Sequence, residues 1–218
     1  MVTDIVQTSL GAFDGAEFSR ISQCPKCSGP VMGYDTRQKR FAVIREQENE
    51  RTITVKVKRF ICKKCGCLCN ADEPFYPDTR IGSPVIDLFF ALCTTLPKSR
   101  AARVMETMGV MVDRTTWRKY HREKFPDVPT ADVFGMRLPY SFLSLSSLAA
   151  LTPEGGRIEG AEALAACGFP SAHRAAPHLA ATGEKRKKRD EEEEEEEWQP
   201  HQPKYPGQDR RAGKQDQT

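Results

Sequence analysis

Two Cys-x-x-Cys motifs limit the folds open to this chain more than any other feature of its sequence. Cys24 and Cys27 form the first motif and Cys62 and Cys65 the second, with 34 residues between them. Two such pairs supply four thiolates, which is the ligand set of a closed, tetrahedral Zn²⁺ site. The spacing therefore predicts a structural zinc centre with Cys24, Cys27, Cys62 and Cys65 as ligands.

The residues around the two motifs agree with a metal site. Lys26, Lys63 and Lys64 place positive charge beside the four thiolates. Gly66 follows the second motif, where the chain must turn tightly and point backbone amides at sulfur.

Other assignments of the cysteines remain open on the sequence alone. Cys67 and Cys69 follow the second motif directly, so Cys65 with Cys67, or Cys62 with Cys67, also offers two ligands. A redox-active dithiol is the alternative to a metal site for any single Cys-x-x-Cys pair. The lack of a secretory signal argues against a disulfide framework.

The residues between the motifs have the pattern of a β-hairpin. Residues 51–60 alternate apolar Ile53, Val55 and Val57 with polar side chains, and residues 40–45 form a second strand-like run. Alternation with a period of two is typical of half-buried strands. We therefore predict a zinc ribbon over residues 21–76.

Residues 80–126 are expected to form three helices. Ser83 and Pro84 mark the start of the first helix, and Gly109 follows the second. Asp113 is the predicted cap of a third helix that buries Trp117 and Tyr120. Two helices joined at a glycine, the second with a basic outer face, follow the order of a helix-turn-helix.

The basic face of the third helix supplies the candidate DNA contacts. Long cationic side chains reach guanine edges and phosphates in the major groove, and threonine is of a size for base or phosphate contact. The candidates on this helix are Arg114, Thr115, Arg118, Lys119 and Arg122. Lys56, Lys58 and Arg59 of the ribbon are expected to widen the phosphate footprint. The competing interpretation is an ordinary amphipathic helix with a solvated basic face.

Charge and composition divide the rest of the chain. Residues 1–130 carry 21 Lys and Arg against 15 Asp and Glu, a formal charge of +6, whereas residues 131–218 carry −3. The net positive charge of residues 1–130 favours a polyanionic partner, here double-stranded DNA.

Residues 1–20 are expected to be an N-terminal extension and residues 137–182 an Ala-rich helical segment. Residues 183–218 contain seven consecutive glutamates and few apolar residues, so this charged tail is expected to be disordered.

Hydrophobic patterning indicates a cytoplasmic protein. The longest apolar run, residues 85–93, is far shorter than the ~18 residues that a membrane span needs. The first residues lack the basic and apolar regions of a signal peptide. We therefore expect no membrane association, and a nucleoid-associated location in a prokaryote.

The chain resembles the N-terminal region of prokaryotic insertion-sequence transposases and related archaeal DNA-binding proteins. The matching motifs are CPKC at 24–27, RFICKKCG at 59–66, and the stretch from Ser99 through Gly109-Val110 to WRKY at 117–120. In that family a zinc ribbon precedes a helix-turn-helix that binds the ends of the element. The resemblance covers about residues 21–126 and implies a small α+β fold with DNA-binding function.

The catalytic half of such transposases has no counterpart in this sequence. Those enzymes continue into a domain whose three carboxylates hold two Mg²⁺ ions. The acidic residues between residues 130 and 185 have no strand pattern around them: Asp132, Glu154, Glu159, Glu162 and Glu184. We therefore expect a non-enzymatic, zinc-stabilised DNA-binding protein.

The alternative is a zinc-ribbon module for protein–protein interaction in a transcription or regulatory complex. Its helices would dock a partner and leave Phe89, Phe90 and Leu92 exposed. The helical segments also offer surfaces for a homodimer or another protein partner.

Overall fold

The structure is a computed structural model that describes residues 1–123, 125–152 and 158–168. Within these ranges the chain folds as a small α+β protein with six helices and two sheets. The helices are α1 (Val2–Gly11), α2 (Ser83–Cys93), α3 (Lys98–Thr107), α4 (Arg114–His121), α5 (Tyr140–Leu151) and α6 (Gly160–Ala166). The strands are β1 (Glu17–Phe18), β2 (Val31–Glu46), β3 (Asn49–Cys62), β4 (Leu68–Asn70), β5 (Thr130–Val133) and β6 (Met136–Pro139). The expected end of the Ala-rich segment and the charged tail lie outside the described residues.

A long antiparallel hairpin of β2 and β3 forms the centre of the first sheet. β1 pairs parallel with β3, and β4 pairs antiparallel with the far end of the same strand. Both hairpin strands are longer than predicted, because their pairing continues to Val31 and Cys62. Residues 32–38 are all exposed, so they lack the alternation that marks a half-buried strand.

A β-bulge turns two neighbouring side chains of β2 into the core. The register shifts between Arg40 and Ala42, and both Phe41 and Ala42 are buried. The ring of Phe41 stacks on Phe13 with 4.1 Å between centroids. It also covers Gly82 so closely that a Cβ there would lie 2.2 Å from the ring. The bulge therefore connects the hairpin to the start of α2.

The first 20 residues, expected to be an extension, enter the core. Val2, Val6 and Leu10 are buried on one side of α1, which packs against α5. Their spacing of four residues is the helical period. The sequence therefore contains the apolar spacing of a helix, although the β-branched residues in this segment make a helix harder to predict. Along the described ranges, none of the helices is long and apolar enough to cross a membrane.

The patch expected to be exposed on α2 is instead buried, which corrects that part of the protein-interaction hypothesis. Phe89 and Leu92 are buried, and Phe90 is half-buried. The ring of Phe89 stacks on Trp117 of α4 with 4.0 Å between centroids and 9° between planes. Because α4 covers this side of α2, the phenylalanines belong to the core.

Helices α2, α3 and α4 lie close to their predicted positions, but the connection between α3 and α4 is tied to β2. Arg45 N donates to Gly109 O at 2.7 Å, and Met111 N donates to Val43 O at 2.9 Å. Val110 forms a β-bridge with Ile44 between these bonds. These contacts do not establish a helix-turn-helix, which stays a prediction.

A second sheet, the β5–β6 hairpin, was not predicted. Its turn residues Phe134 and Gly135 have φ values of 50° and 77°. Such turns usually carry Asn-Gly or Asp-Gly, and phenylalanine gives no such signal. Asp132 lies in β5, which corrects the expectation that no strand surrounds the acidic residues after residue 130.

Candidate metal centre and basic helix

The structure brings the four predicted cysteine ligands together at the open end of the β2–β3 hairpin. Their sulfur atoms all lie within 4.8 Å of one another. Cys24 Sγ is 3.8 Å from Cys65 Sγ, and Cys27 Sγ is 3.5 Å from Cys62 Sγ. Four sulfurs bound tetrahedrally to Zn²⁺ at about 2.3 Å lie about 3.8 Å apart. The cluster therefore has the size of a tetrahedral four-thiolate site.

Two tight turns of similar design position the sulfur atoms. In the first, Ser28 N donates to Cys24 O at 2.8 Å, and in the second, Gly66 N donates to Cys62 O at 3.0 Å. Ser28 and Gly66 have φ values of 54° and 66°. Glycine adopts this left-handed conformation without steric cost, which explains why Gly66 follows the second motif.

Backbone amides favour a thiolate at Cys62. The backbone N–H of Cys65 lowers the pKa of Cys62, and Lys64 N, 3.4 Å from the sulfur, adds to this effect, so that the pKa falls to about 6. At Cys27 the Gly29 amide lowers the pKa, but the neighbouring sulfurs outweigh it and raise the pKa to about 12. Four thiolates at this spacing therefore need a cation to offset their mutual repulsion.

Cys67 and Cys69 lie outside the four-sulfur cluster. Cys67 Sγ donates to Leu68 O at 3.6 Å, and the buried Cys69 Sγ donates to Phe60 O at 3.5 Å. Of the assignments that the sequence left open, the structure places Cys62 and Cys65 with the first motif. Four thiolates with tetrahedral spacing are typical of zinc or of iron–sulfur chemistry.

The cationic side chains of α4 point to solvent. Trp117 and Tyr120 are buried and anchor the helix, and the Tyr120 hydroxyl accepts a hydrogen bond from Arg80 N at 2.8 Å. Five side chains are exposed on the opposite side: Arg114, Thr115, Arg118, Lys119 and Arg122. Their positions recur at one and four residues, so they share one helix face.

Nearby acidic groups offset part of the positive charge of the three ribbon residues proposed for phosphate contact. Lys56 Nζ lies 2.7 Å from Glu17 Oε1, and Arg59 forms a two-point ion pair with Asp35. Lys58 is half-buried, with its ammonium 5.6 Å from the centre of the Phe60 ring. Lys119 of α4 also has an acidic neighbour, with its Nζ 4.0 Å from Glu123 Oε1. Among the predicted contacts that the structure describes, α4 holds more exposed cations than the ribbon.

An apolar row on the ribbon was missed by the sequence analysis. Met32 pairs with Ile61 and Ile61 pairs with Leu68, so the three side chains cross the sheet on one face. Met32 is 53% exposed and nearby Tyr34 is 62% exposed. Strand register brings Met32 opposite Ile61, although the two lie in different strands far apart along the chain.

No protein-family model, curated protein or solved structure matches the chain. The likeness to insertion-sequence transposases therefore rests on the motifs quoted above.

Proposed function

We propose that this chain is a non-enzymatic DNA-binding protein whose ribbon is stabilised by zinc and whose helix α4 contacts the DNA. One helix face carries the proposal, because its side chains are exposed while Trp117 and Tyr120 on the opposite side of α4 are buried in the core. The exposed residues are Arg114, Thr115, Arg118, Lys119 and Arg122. Arginine and lysine neutralise phosphates, and arginine also reads guanine edges. Resemblance to the DNA-recognition part of transposases supports the same proposal.

Zinc is the metal that we propose for the four-cysteine cluster. Sulfur separations of 3.5 and 3.8 Å support tetrahedral coordination at ordinary zinc–sulfur distances. All four positions are filled by protein ligands, as in structural rather than catalytic sites. The metal would hold the two turns together and so fix the end of the hairpin.

The test is binding of the full chain to a random-sequence DNA duplex, followed by fluorescence anisotropy over a salt series. The Arg118→Ala/Arg122→Ala variant should bind this duplex more weakly, because it loses two cations that neutralise phosphates. It should also show a shallower dependence on salt.

A matched control separates the role of α4 from a general effect of charge. Arg20→Ala/Arg37→Ala removes two exposed arginines from other parts of the chain. This variant should keep most of its DNA affinity if α4 makes the contact. Equal losses in both double variants would contradict the proposal, as would a lack of binding at low salt.

The exposed apolar row on the ribbon favours a second candidate function, a protein-interaction module. Met32, Ile61 and Leu68 offer a flat, partly exposed surface beside the metal centre. Clusters of exposed or partly exposed apolar side chains often mark interaction sites. Docking there would depend weakly on salt, whereas DNA binding weakens steeply with ionic strength.

A further inference from the structure

A carboxyl group is buried in the most apolar helix of the fold. Asp87 lies in α2 and is 4% exposed, and the Tyr76 hydroxyl donates to its Oδ1 at 2.6 Å. Among the described residues, the thiol of Cys167, directly after α6, also interacts electrostatically with this pair. In the described part of the chain, no lysine or arginine offsets the charge of Asp87. Burial raises its pKa to about 7, although the Tyr76 hydrogen bond acts in the opposite direction.

The partner of Asp87 is packed towards α4. The ring of Tyr76 lies 5.0 Å from that of Phe125, and Phe125 lies 6.0 Å from Tyr120 of α4. Phe125 also contacts Phe90 of α2 at 5.3 Å. A continuous set of aromatic contacts therefore leads from the buried carboxyl to the helix that carries the exposed cations.

Water is the alternative partner for an ionised Asp87. A carboxylate without a cation loses its hydration when it is buried, which costs several kcal/mol unless the surroundings open. Tyr76, which contacts Asp87, and Phe125, which contacts Tyr76, both lie in loops, so they can move more easily than α2 itself.

We propose that the protonation state of Asp87, through its contact with Tyr76, controls how tightly α4 packs on the core. The neutral carboxyl keeps Tyr76, Phe125 and Tyr120 packed against α2. Ionisation of Asp87 draws water to the carboxylate and loosens this packing, so that α4 becomes more mobile as the pH rises. This device goes beyond the proposed DNA binding and does not depend on it.

Trp117 is a built-in reporter for the packing of α4, because it stacks on Phe89 of α2. The chain has two tryptophans, and Trp198→Phe in the full-length protein leaves Trp117 as the single tryptophan. Emission is followed from about pH 5.5 to 8.5, and far-UV circular dichroism checks that the fold persists. The parent should show a red shift with a midpoint near 7, in line with the raised pKa of Asp87.

Two variants test the assignment. Asp87→Asn keeps the shape but removes the titration, so the red shift should disappear. Tyr76→Phe removes a hydrogen bond that favours the ionised carboxyl, so the midpoint should move to higher pH.

Glu123→Gln provides the control, because burial raises the pKa of this second carboxyl, which lies just beyond α4. The red shift should persist in that variant. A flat trace in the parent, the same transition in Asp87→Asn, or an unchanged midpoint in Tyr76→Phe would each overturn the proposal. DNA binding is measured separately, so failure of this mechanism is distinguishable from failure of the proposed function.

Discussion

Removal of the metal should unfold the ribbon end of the hairpin and leave the helical core folded. The buried residues of the apolar core extend along β3 to Val57 and along β2 from Phe41, and the half-buried Phe60 packs against them. The turns at residues 24–29 and 62–66 lie beyond these points and are held by the four-cysteine cluster. The two parts of the hairpin therefore depend on different interactions.

The expected size of the effect follows from what the ribbon end buries. A structural zinc contributes on the order of 10 kcal/mol to folding. A fully buried Leu or Phe side chain contributes about 1.5–3 kcal/mol. No large apolar side chain is fully buried among the described residues of the ribbon end, because Met32 and Leu68 are exposed and Phe60 and Ile61 are half-buried. Apolar burial in this region is therefore small beside the contribution of the metal.

Hydrogen exchange measured by mass spectrometry on the full chain, with and without a chelator, tests this prediction. Peptides from residues 22–36 and 59–70 should lose protection, while peptides from α2 keep it. Cys62→Ser should reproduce the effect of the chelator. Cys67→Ser should not, because Cys67 lies outside the cluster. Simultaneous loss of protection in α2, or full protection of the ribbon without metal, would refute the reasoning.

Three further predictions concern the core and the tail. Between about pH 5.5 and 8.5 the unfolding free energy of the wild type should fall by about 2 kcal/mol relative to that of Asp87→Asn. The raised pKa keeps the carboxyl of Asp87 protonated in the folded state until near pH 7, whereas in the unfolded state it is already ionised. Unfolding free energies from urea denaturation that change equally with pH in both proteins would contradict this. Gly82→Ala should destabilise by about 1–3 kcal/mol through its clash with Phe41. Gly11→Ala, where nothing lies within 4 Å, should be neutral or stabilising in the same thermal melts. Deletion of residues 185–218 should raise DNA affinity at low salt, because the glutamate run competes with phosphate for the basic residues, and unchanged anisotropy would contradict it.

The four-cysteine cluster was predictable because the residues that form each of its turns are close together in the sequence. Each Cys-x-x-Cys pair forms one tight turn, and the alternation of Ile53, Val55 and Val57 indicates the strand that connects the pairs. The helix α4 was predictable for a similar reason, since Asp113 precedes it and Trp117 and Tyr120 share one face. In both cases the residues that decide the structure lie within a few positions of one another.

Features that depend on distant contacts were not predictable. In the sequence, Asp87 is a single charged residue within an apolar run. Only the fold shows that the Tyr76 hydroxyl donates a hydrogen bond to its carboxyl group. The row of Met32, Ile61 and Leu68 exists because of strand register. Neither feature has a local sequence signal, because a side chain's partner comes from another element.

The position of α4 shows how tertiary contacts modify a motif inferred from sequence. A helix-turn-helix relies on its turn to orient the second helix against the first. Here residues 109–111 are hydrogen-bonded to β2, and Trp117 stacks on α2. The orientation of α4 is therefore set by the sheet edge and by Phe89. Since the four-cysteine cluster lies at the other end of the hairpin from these contacts, we expect the proposed DNA binding by α4 to be separable from metal binding by the ribbon.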